Sequence, residues 1–463
     1  MNEVAAKLAA LAARYADEIE GLELDETASS SREVKATEEG EGGTCYRLDE
    51  CFVRTAGERV GYAKSERADV PLEDLVAEAV RQARFVDVSD PAGALVAPVA
   101  ADEAGWNLPG LAAVEGAPAA GSDELLACAR AGLAELVARA GAHTGAECLV
   151  RVVETQRSVA NSRGVLRRDA HRHYFVRMSY VARGAREMHD AEARAYAGEL
   201  AGVDLAALAA RCVAQAEDSL DGGTIESGRY PVVISRAAAC RMLVGFWSVF
   251  SAEKLARGTS CLSGRRGELV AAPAVTLRDA PGGVAGAPGA LGIDAQGTVR
   301  RPYTVVEAGR LVGALSEASW AAKLGLPASS GNAARREGLG RIVQNEVVCA
   351  PANLYVEPGG SSLEELFARM GEGVYLTDIG DIYHGFDVAG GGISSPCRGA
   401  WVRDGRLAEP IAQMTLSDNL DGLLRGVVAA GSELCWCDLE DLDAFWCGAP
   451  DLLVGELGLV GVE

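Results

Sequence analysis

Up to about residue 220, apolar residues recur at helical spacing in several segments, with runs rich in β-branched and aromatic residues between them. Helices are predicted over residues 4–20, 69–85, 122–141 and 204–220. Strands are predicted over residues 21–25, 31–37, 44–62, 147–155 and 158–160, with a strand pair over 165–183. Because the order helix, strands, helix occurs twice, we expect one α+β domain over residues 1–220, built from two similar halves.

A second unit begins at residue 228 and is rich in strands and turns. Its first strand is predicted over residues 228–235, and one strongly apolar helix follows over residues 236–256. Farther along, the dipeptide Ala308-Gly309 separates two β-rich runs and predicts a hairpin. We therefore expect a second, β-rich domain over residues 228–463.

The segment 399–431 combines a hairpin and a helix. Asp404-Gly405 supplies two residues that tolerate positive φ, as a tight two-residue turn requires. After residue 418 the apolar residues recur at helical spacing, which predicts a helix. Those apolar residues are Leu420, Leu423, Leu424, Val427 and Val428.

Length, net charge and cysteine content limit the functions that this protein can have. The 463 residues exceed what one core usually supports, so two domains are expected. A net charge of −22 argues against nucleic acid as a partner, because a phosphate backbone favours a basic face. No run is apolar enough for a membrane span, and the first residues lack a secretory signal. The 12 cysteines are scattered, so we expect reduced thiols and a cytoplasmic protein.

Several short motifs, taken in order, resemble one family. Asn161-Ser-Arg-Gly164 reads as a turn between strands, and Asn353-Leu-Tyr-Val-Glu-Pro-Gly359 opens the last block, which contains 399–431. Together they resemble the TldD/TldE (PmbA) family, which includes metalloproteases. The resemblance implies an α+β fold with a β-rich, barrel-like C-terminal domain that carries one apolar helix.

The family's catalytic branch carries a His-Glu-x-x-x-His motif on the helix after the first C-terminal strand. There the histidines bind zinc and the glutamate acts as general base. Alignment from Pro231 places Val244, Gly245 and Val249 at the three positions. The chain thus resembles the TldE/PmbA branch, which lacks the motif. We predict no catalytic or metal-binding residues and no cofactor here, with zinc expected in a catalytic partner.

Other residues remain as candidates for contact with a peptide or a partner. His384 stands near Asp378 and Asp381 and before the glycines Gly390, Gly391 and Gly392. The aromatic pair Phe246 and Trp247 lies on the apolar helix and is a further candidate.

Two further groups of residues could in principle bind a metal, but neither is interpreted as a metal site. His171 and His173 share one face of a strand and are interpreted as solvated histidines in a basic run. Cys435, Cys437 and Cys447 lack the spacing of a zinc knuckle and are interpreted as buried thiols.

Three functions follow from these observations. The first is a non-catalytic TldE/PmbA-like subunit that pairs with a TldD-like catalytic subunit and helps hold unfolded peptide by strand pairing. The second is a non-enzymatic homodimer or larger homo-oligomer that binds peptide as an accessory protein, to which the family's older label, modulator of DNA gyrase, belongs. The third is a hydrolase that uses His384, Asp378, Asp381 or a cysteine.

Overall fold

The computed structural model describes residues 2–67, 69–86, 93–218, 220–337, 343–438 and 445–461. The helices are α1 Glu3–Arg14, α2 Leu72–Ala83, α3 Pro109–Gly116, α4 Ser122–Arg139, α5 Leu205–Glu217, α6 Arg236–Phe246, α7 Ala252–Arg257, α8 Ala318–Lys323, α9 Leu363–Met370 and α10 Leu420–Arg425. Across those ranges, no helix has both the length and the apolar character needed to cross a membrane.

Strands dominate the rest of the chain. In the N-terminal part they are β1 Gly21–Thr37, β2 Glu41–Ala56, β3 Tyr62–Ser65, β4 Trp106–Asn107, β5 His143–Asn161, β6 Leu166–Arg183 and β7 Met188–Ala197. The next group comprises β8 Gly228–Ile234, β9 Leu277–Asp279, β10 Tyr303–Glu307, β11 Arg310–Leu311, β12 Ala333–Glu337, β13 Val343–Cys349 and β14 Asn353–Val356. The last group comprises β15 Gly373–Ile379, β16 Gly392–Arg403, β17 Arg406–Asn419, β18 Val427–Ala430, β19 Cys435–Asp438, β20 Trp446–Ala449 and β21 Leu452–Gly461.

The N-terminal strands form one seven-stranded sheet in the order β3-β2-β1-β5-β6, with β4 and β7 both paired to β6. The element order α1-β1-β2-β3-α2 repeats as α4-β5-β6-β7-α5. The strands β1 and β5 meet antiparallel at the join between the two series. This repeat matches the predicted α+β architecture and the expectation of two similar halves.

Each half of the N-terminal part has its own core. Helices α1 and α2 cover one core, which includes Leu8 and Val76. Helices α4 and α5 cover the other, which includes Leu125 and Leu208. Since all four side chains are at most 1% exposed, each contributes about 1.5–3 kcal/mol by leaving water.

The structure differs from the sequence prediction between the two halves. The Ala-, Pro- and Gly-rich composition of residues 91–121 predicts a surface connection, yet the described residues from 93 onward contain β4 and α3. Helix α3 packs closely on β6, because a Cβ on Gly110 would lie 2.2 Å from the carbonyl oxygen of Ala170. Residues 166–183, predicted as part of a strand pair over 165–183, instead form the single long strand β6, which pairs with both β5 and β7. Because glycine is typical of turns and loops, the glycine that permits this close contact argued against a helix in the sequence.

The C-terminal domain contains a closed five-stranded barrel in the order β17-β16-β15-β8-β21, closed by pairing between β17 and β21. Strand β18 adds to β21, and a second sheet has the order β11-β10-β9-β14-β20-β19. Helix α6 packs against β15 of the barrel and against β19 and β20 of the second sheet. The expected β-rich, barrel-like domain with an apolar helix is confirmed.

The apolar helix is shorter than predicted. Instead of one helix over 236–256, α6 ends at Phe246, a 3-10 turn covers Trp247–Phe250, and α7 begins at Ala252. Phe246 has φ −118° and Ser251 has extended backbone angles, so the helical path is interrupted twice. Aromatic and β-branched residues in the turn have weak helix propensity, and their burial fixes the turn instead.

The hairpin at Asp404-Gly405 forms as predicted, with φ of 50° and 68° at the two residues. The helix after it is shorter than expected, because α10 ends at Arg425 and Val427 begins β18. Gly426, the C-cap of α10, keeps right-handed angles of φ −79° and ψ −7°, and its N–H donates to the carbonyl oxygen of Gly422. Val427 then pairs with Val454 of β21, so strand pairing ends the helix before the two valines.

The two domains meet through aromatic and polar contacts. The rings of His173 and Trp446 lie 5.3 Å apart, edge to face. The hydroxyl of Tyr196 donates a hydrogen bond to Oδ1 of Asp438 at 3.0 Å. These contacts bring the edge of the N-terminal sheet beside the second sheet of the C-terminal domain.

Candidate functional site

Helix α6 and the turn after it hold the positions that correspond to the zinc motif. Val244 is 3% exposed and Val249 is fully buried. A Cβ on Gly245 would lie 2.6 Å from Cδ2 of Phe386. Valine and glycine side chains carry no donor atom, and the Phe386 ring occupies the space beside Gly245, so zinc does not fit at these three positions.

A cleft opens beside α6, where the two domains meet. Two adjoining cavities of about 270 Å³ and about 120 Å³ share Arg194, Arg241 and Cys437 in their walls. Strand β7 and helix α5 form one wall of the larger cavity, and α6, β15 and β19 form the other. Val244 lies in the wall of the smaller cavity, so the first motif position borders this cleft.

Two edge strands border the cleft. Among the strands of the described residues, β7 is the last on its side of the N-terminal sheet, and β19 is the last of the second C-terminal sheet. Asp190 and Arg194 of β7 and Cys435 and Cys437 of β19 lie in the wall of the larger cavity. Since an edge strand offers main-chain donors and acceptors, the cleft is suited to an extended peptide.

The charges in the larger cavity are balanced, although the whole chain is strongly acidic. Its charged residues are four arginines and four acids, namely Arg194, Arg211, Arg236, Arg241, Asp190, Glu192, Asp218 and Asp378. Nη2 of Arg194 lies 2.6 Å from Oε2 of Glu192. Nε of Arg241 donates to the carbonyl oxygen of Ile379 at 3.0 Å, which fixes the guanidinium in the wall. This mixed lining suits peptide main chain better than a polyanion.

Three thiols meet in the same cavity. Cys240 of α6, which is 1% exposed, lies within hydrogen-bond reach of Cys435 and Cys437. Burial is the main cause that raises the pKa of Cys240, and the two neighbouring thiols add to it. The hydrogen bond from Cys240 lowers the pKa of Cys435, and Arg211 and Arg236 act in the same direction. Cys240 carried no sequence signal, because no motif spacing connects it to the later cysteines.

Among the described residues, Asp381 lines the smaller cavity, whereas its hydrogen-bond partner His384 and the glycine turn do not. The His384 side chain is 86% exposed, and its Nδ1 lies 2.8 Å from Oδ1 of Asp381. That hydrogen bond lowers the pKa of the Asp381 carboxyl. Gly391, with φ 81°, accepts a hydrogen bond from the N–H of Leu420 at the start of α10. In the part of the chain that the structure describes, neither His384 nor Gly390–Gly392 lines either cavity.

The aromatic candidates Phe246 and Trp247 are buried. Phe246 is 7% exposed and stacks at an angle on Phe386, with ring centroids 6.2 Å apart. Trp247 is 5% exposed and lies 5.0 Å from Phe445. Both rings thus belong to the core of the C-terminal domain in this chain, and they position α6 beside the cleft.

The interpretation of His171 and His173 as solvated is wrong. His173 is 3% exposed, and the two imidazole rings stack at 5.7 Å. Burial is the main cause that lowers the pKa of His171 to about 4, and Nε2 of His171 lies 2.9 Å from the carbonyl oxygen of Pro288. Among the described residues, no group of three His, Cys, Asp or Glu side chains is arranged to hold a metal ion.

Comparison with known proteins identifies the family. The model of the PmbA/TldA metallopeptidase C-terminal domain matches residues 227–461, just over half of the chain. A protein of Methanothermobacter thermautotrophicus named metalloprotease is 32% identical over 184 residues, which cover 39% of this chain and 38% of that protein. Metalloprotease PmbA of Escherichia coli O157:H7 is 28% identical over 102 residues, or 22% of this chain and 21% of that protein. The matches thus span well under two thirds of these relatives.

Solved structures show the same fold along nearly the whole chain. TldE from Thermococcus kodakarensis superposes with a TM-score of 0.82 at 17% identity and covers 98% of this chain and 99% of that one. A Thermotoga maritima protein described as a candidate modulator of a DNA gyrase has a TM-score of 0.80 at 20% identity, with 98% of each chain covered. At such low identity these similarities establish the fold alone. With the match over residues 227–461, the chain belongs to the PmbA/TldA metallopeptidase family.

Proposed function

We propose that this chain is a non-catalytic, TldE-like subunit of a two-chain metalloprotease, in which a zinc-bearing partner supplies the chemistry. The observation that carries the proposal is the replacement of all three zinc-motif positions by Val244, Gly245 and Val249. Relatives of this chain are named metalloproteases, and the fold is kept along its length. A chain that keeps the fold without donors at the metal site is suited to shaping a substrate site rather than to hydrolysis.

In this proposal, the cleft between the two domains holds an unfolded segment of the substrate. An extended peptide pairs through its main chain with the edge of β7 or β19, which tolerates varied sequences. Arg241 and Arg194 face the same space and bind carbonyl or carboxylate oxygens of the peptide. The balanced charges of the cleft support this role and disfavour nucleic acid.

A second candidate is a homo-oligomeric peptide-binding accessory protein. It is favoured by one observation, namely that both walls of the cleft come from a single chain. Peptide binding then needs no catalytic partner, and proteolysis is not part of the function. The two candidates share the cleft and differ in the partner.

The role of the cleft is tested by replacing Arg241 with glutamine. The guanidinium is anchored on Ile379, so the substitution removes a positioned positive charge with little change in packing. We expect the affinity for a fluorescently labelled, unstructured peptide to fall roughly tenfold, as the loss of one charged hydrogen bond implies. Fluorescence anisotropy measures it, on the chain alone and on the complex with a family member that carries the zinc motif.

The matched control is Arg406→Gln, because Arg406 is an exposed arginine at the start of β17, outside both cavity walls. Its affinity for the peptide should equal that of the wild type. Equal affinities for all three proteins would contradict the assignment of the cleft as the peptide site.

A further inference from the structure

We propose that Cys240 and Cys435 form a reversible disulfide with each other when a low-molecular-weight disulfide enters the cleft, which makes this corner a redox-modification site. The inference goes beyond peptide binding and does not depend on it. It rests on the position of two thiols from separate elements, on the access of one of them to the cleft, and on the charges around it.

The geometry brings the two sulfur atoms together. Helix α6 packs against β19, Cys240 and Cys435 line the same cavity, and their thiols lie within hydrogen-bond reach of each other. The Cys240 thiol itself donates a hydrogen bond to the carbonyl oxygen of Ala237 at 3.2 Å. Cys435 and Cys437 lie two residues apart on β19 and therefore share a face. Cys447 stands opposite Cys437 on the neighbouring strand β20. The side of the second sheet that meets α6 is thus a cluster of thiols.

Within the cluster, access selects Cys435 as the thiol that reacts first. Cys437 is 4% exposed and Cys447 is fully buried, whereas Cys435 is partly exposed and lies in the cavity wall. Pairing of Cys435 with Cys437 is disfavoured, because residues i and i+2 of a strand lie roughly 6.6 Å apart, near the upper limit for a disulfide. Cys240 is therefore the favoured partner of Cys435.

The charges around Cys435 favour its thiolate. The neighbouring Cys240 thiol is the main cause that lowers the pKa of Cys435. Arg211 and Arg236, in the same cavity wall, act in the same direction, whereas burial and Asp451 oppose them. Burial is the main cause that raises the pKa of Cys240, which disfavours its thiolate. An accessible thiolate next to a buried thiol is the arrangement of an attacking and a resolving cysteine.

The exchange balances in two steps. The Cys435 thiolate attacks one sulfur of the disulfide R–S–S–R, forms a Cys435–S–S–R bond and expels R–S⁻. The expelled thiolate takes the proton of Cys240, and the Cys240 sulfur then attacks the Cys435 sulfur and expels the second R–S⁻, which is protonated by water. Two protein thiols are oxidised and one small disulfide is reduced to two thiols.

The test uses hydroxyethyl disulfide on the full chain with Cys45 replaced by serine, because Cys45 is exposed and would react by itself. We expect intact mass spectrometry to show the loss of two hydrogens, and peptide mapping to link the segments that contain Cys240 and Cys435. In Cys240→Ser, Cys435 should accumulate as the mixed disulfide. In Cys435→Ser, reaction at Cys240 should be several-fold slower.

Cys437→Ser is the matched control, and it should leave the Cys240–Cys435 link unchanged. A disulfide between any other pair of cysteines would overturn the inference. So would a reaction of Cys435 that is no faster than that of Cys128, a half-buried thiol with a raised pKa. Peptide affinity is measured separately. If the disulfide does not form, the proposed function is unaffected; if the chain does not bind peptide, the proposed disulfide is unaffected.

Discussion

Replacing Arg54 with methionine is expected to lower the free energy of unfolding by about 3–5 kcal/mol, as the loss of one partner of a buried ion pair does. Nε and Nη2 of Arg54 each lie 3.0 Å from an oxygen of Glu23, and both side chains are at most 2% exposed. Among the described residues, the other cation beside the Glu23 carboxylate is Arg335, which is more distant at 3.6 Å. Urea denaturation measures the loss.

The matched control for Arg54 is Arg47→Met on the same strand. Arg47 also binds a carboxylate through Nε, that of Asp49 at 3.0 Å, but both side chains are exposed. Water and salt screen that pair, so the change in stability should be far smaller. Equal losses for the two variants would show that the Glu23 carboxylate is not held by Arg54 in the way described.

Replacing Gly245 with alanine is expected to destabilise the C-terminal domain. The new Cβ would lie 2.6 Å from the ring of Phe386, a buried side chain with little room to move. Overpacking of this kind costs about 1–3 kcal/mol, which exceeds the gain of about 1 kcal/mol in helix propensity. Thermal and urea unfolding measure the net loss. The glutamate of the zinc motif, which is larger still, is therefore excluded from this position without repacking.

A double-variant cycle shows whether Phe386 causes that cost. Phe386→Leu replaces the ring with a smaller side chain, so it should cost less stability in the Gly245→Ala background than in the wild type. Gly116→Ala serves as the control, because a Cβ on Gly116, the last residue of α3, meets nothing within 4 Å. An additive cycle, or a stabilised Gly245→Ala variant, would contradict the packing described at this position.

Periodicity predicted much of the fold, and it failed where glycine or burial decides the backbone. The hairpin at Asp404-Gly405 was predicted because positive φ at both residues is a local requirement. The ends of α6 and α10 were wrong. At Phe246 the packing of aromatic residues interrupts the helix, and after Gly426 the pairing of β18 with β21 does so. Such tertiary contacts leave no periodic signal in the sequence.

One part of the candidate site could be predicted from the sequence, and the other part could not. The loss of zinc donors at Val244, Gly245 and Val249 could be inferred from aligned motif positions alone. The cleft could not, because it forms between β7 and β19, which are far apart in the chain. For the same reason the pairing of Cys240 with Cys435 emerges only when α6 packs on the second sheet.

The central claim is that this chain shapes a substrate site without supplying the metal. The most direct measurement is zinc content, by inductively coupled plasma mass spectrometry, together with peptide cleavage, for the isolated chain and for its complex with a family member that carries the zinc motif. We predict no stoichiometric zinc and no cleavage for the isolated chain, and about one zinc ion per complex with cleavage. About one zinc ion bound by the isolated chain, or cleavage by that chain alone, would contradict the account.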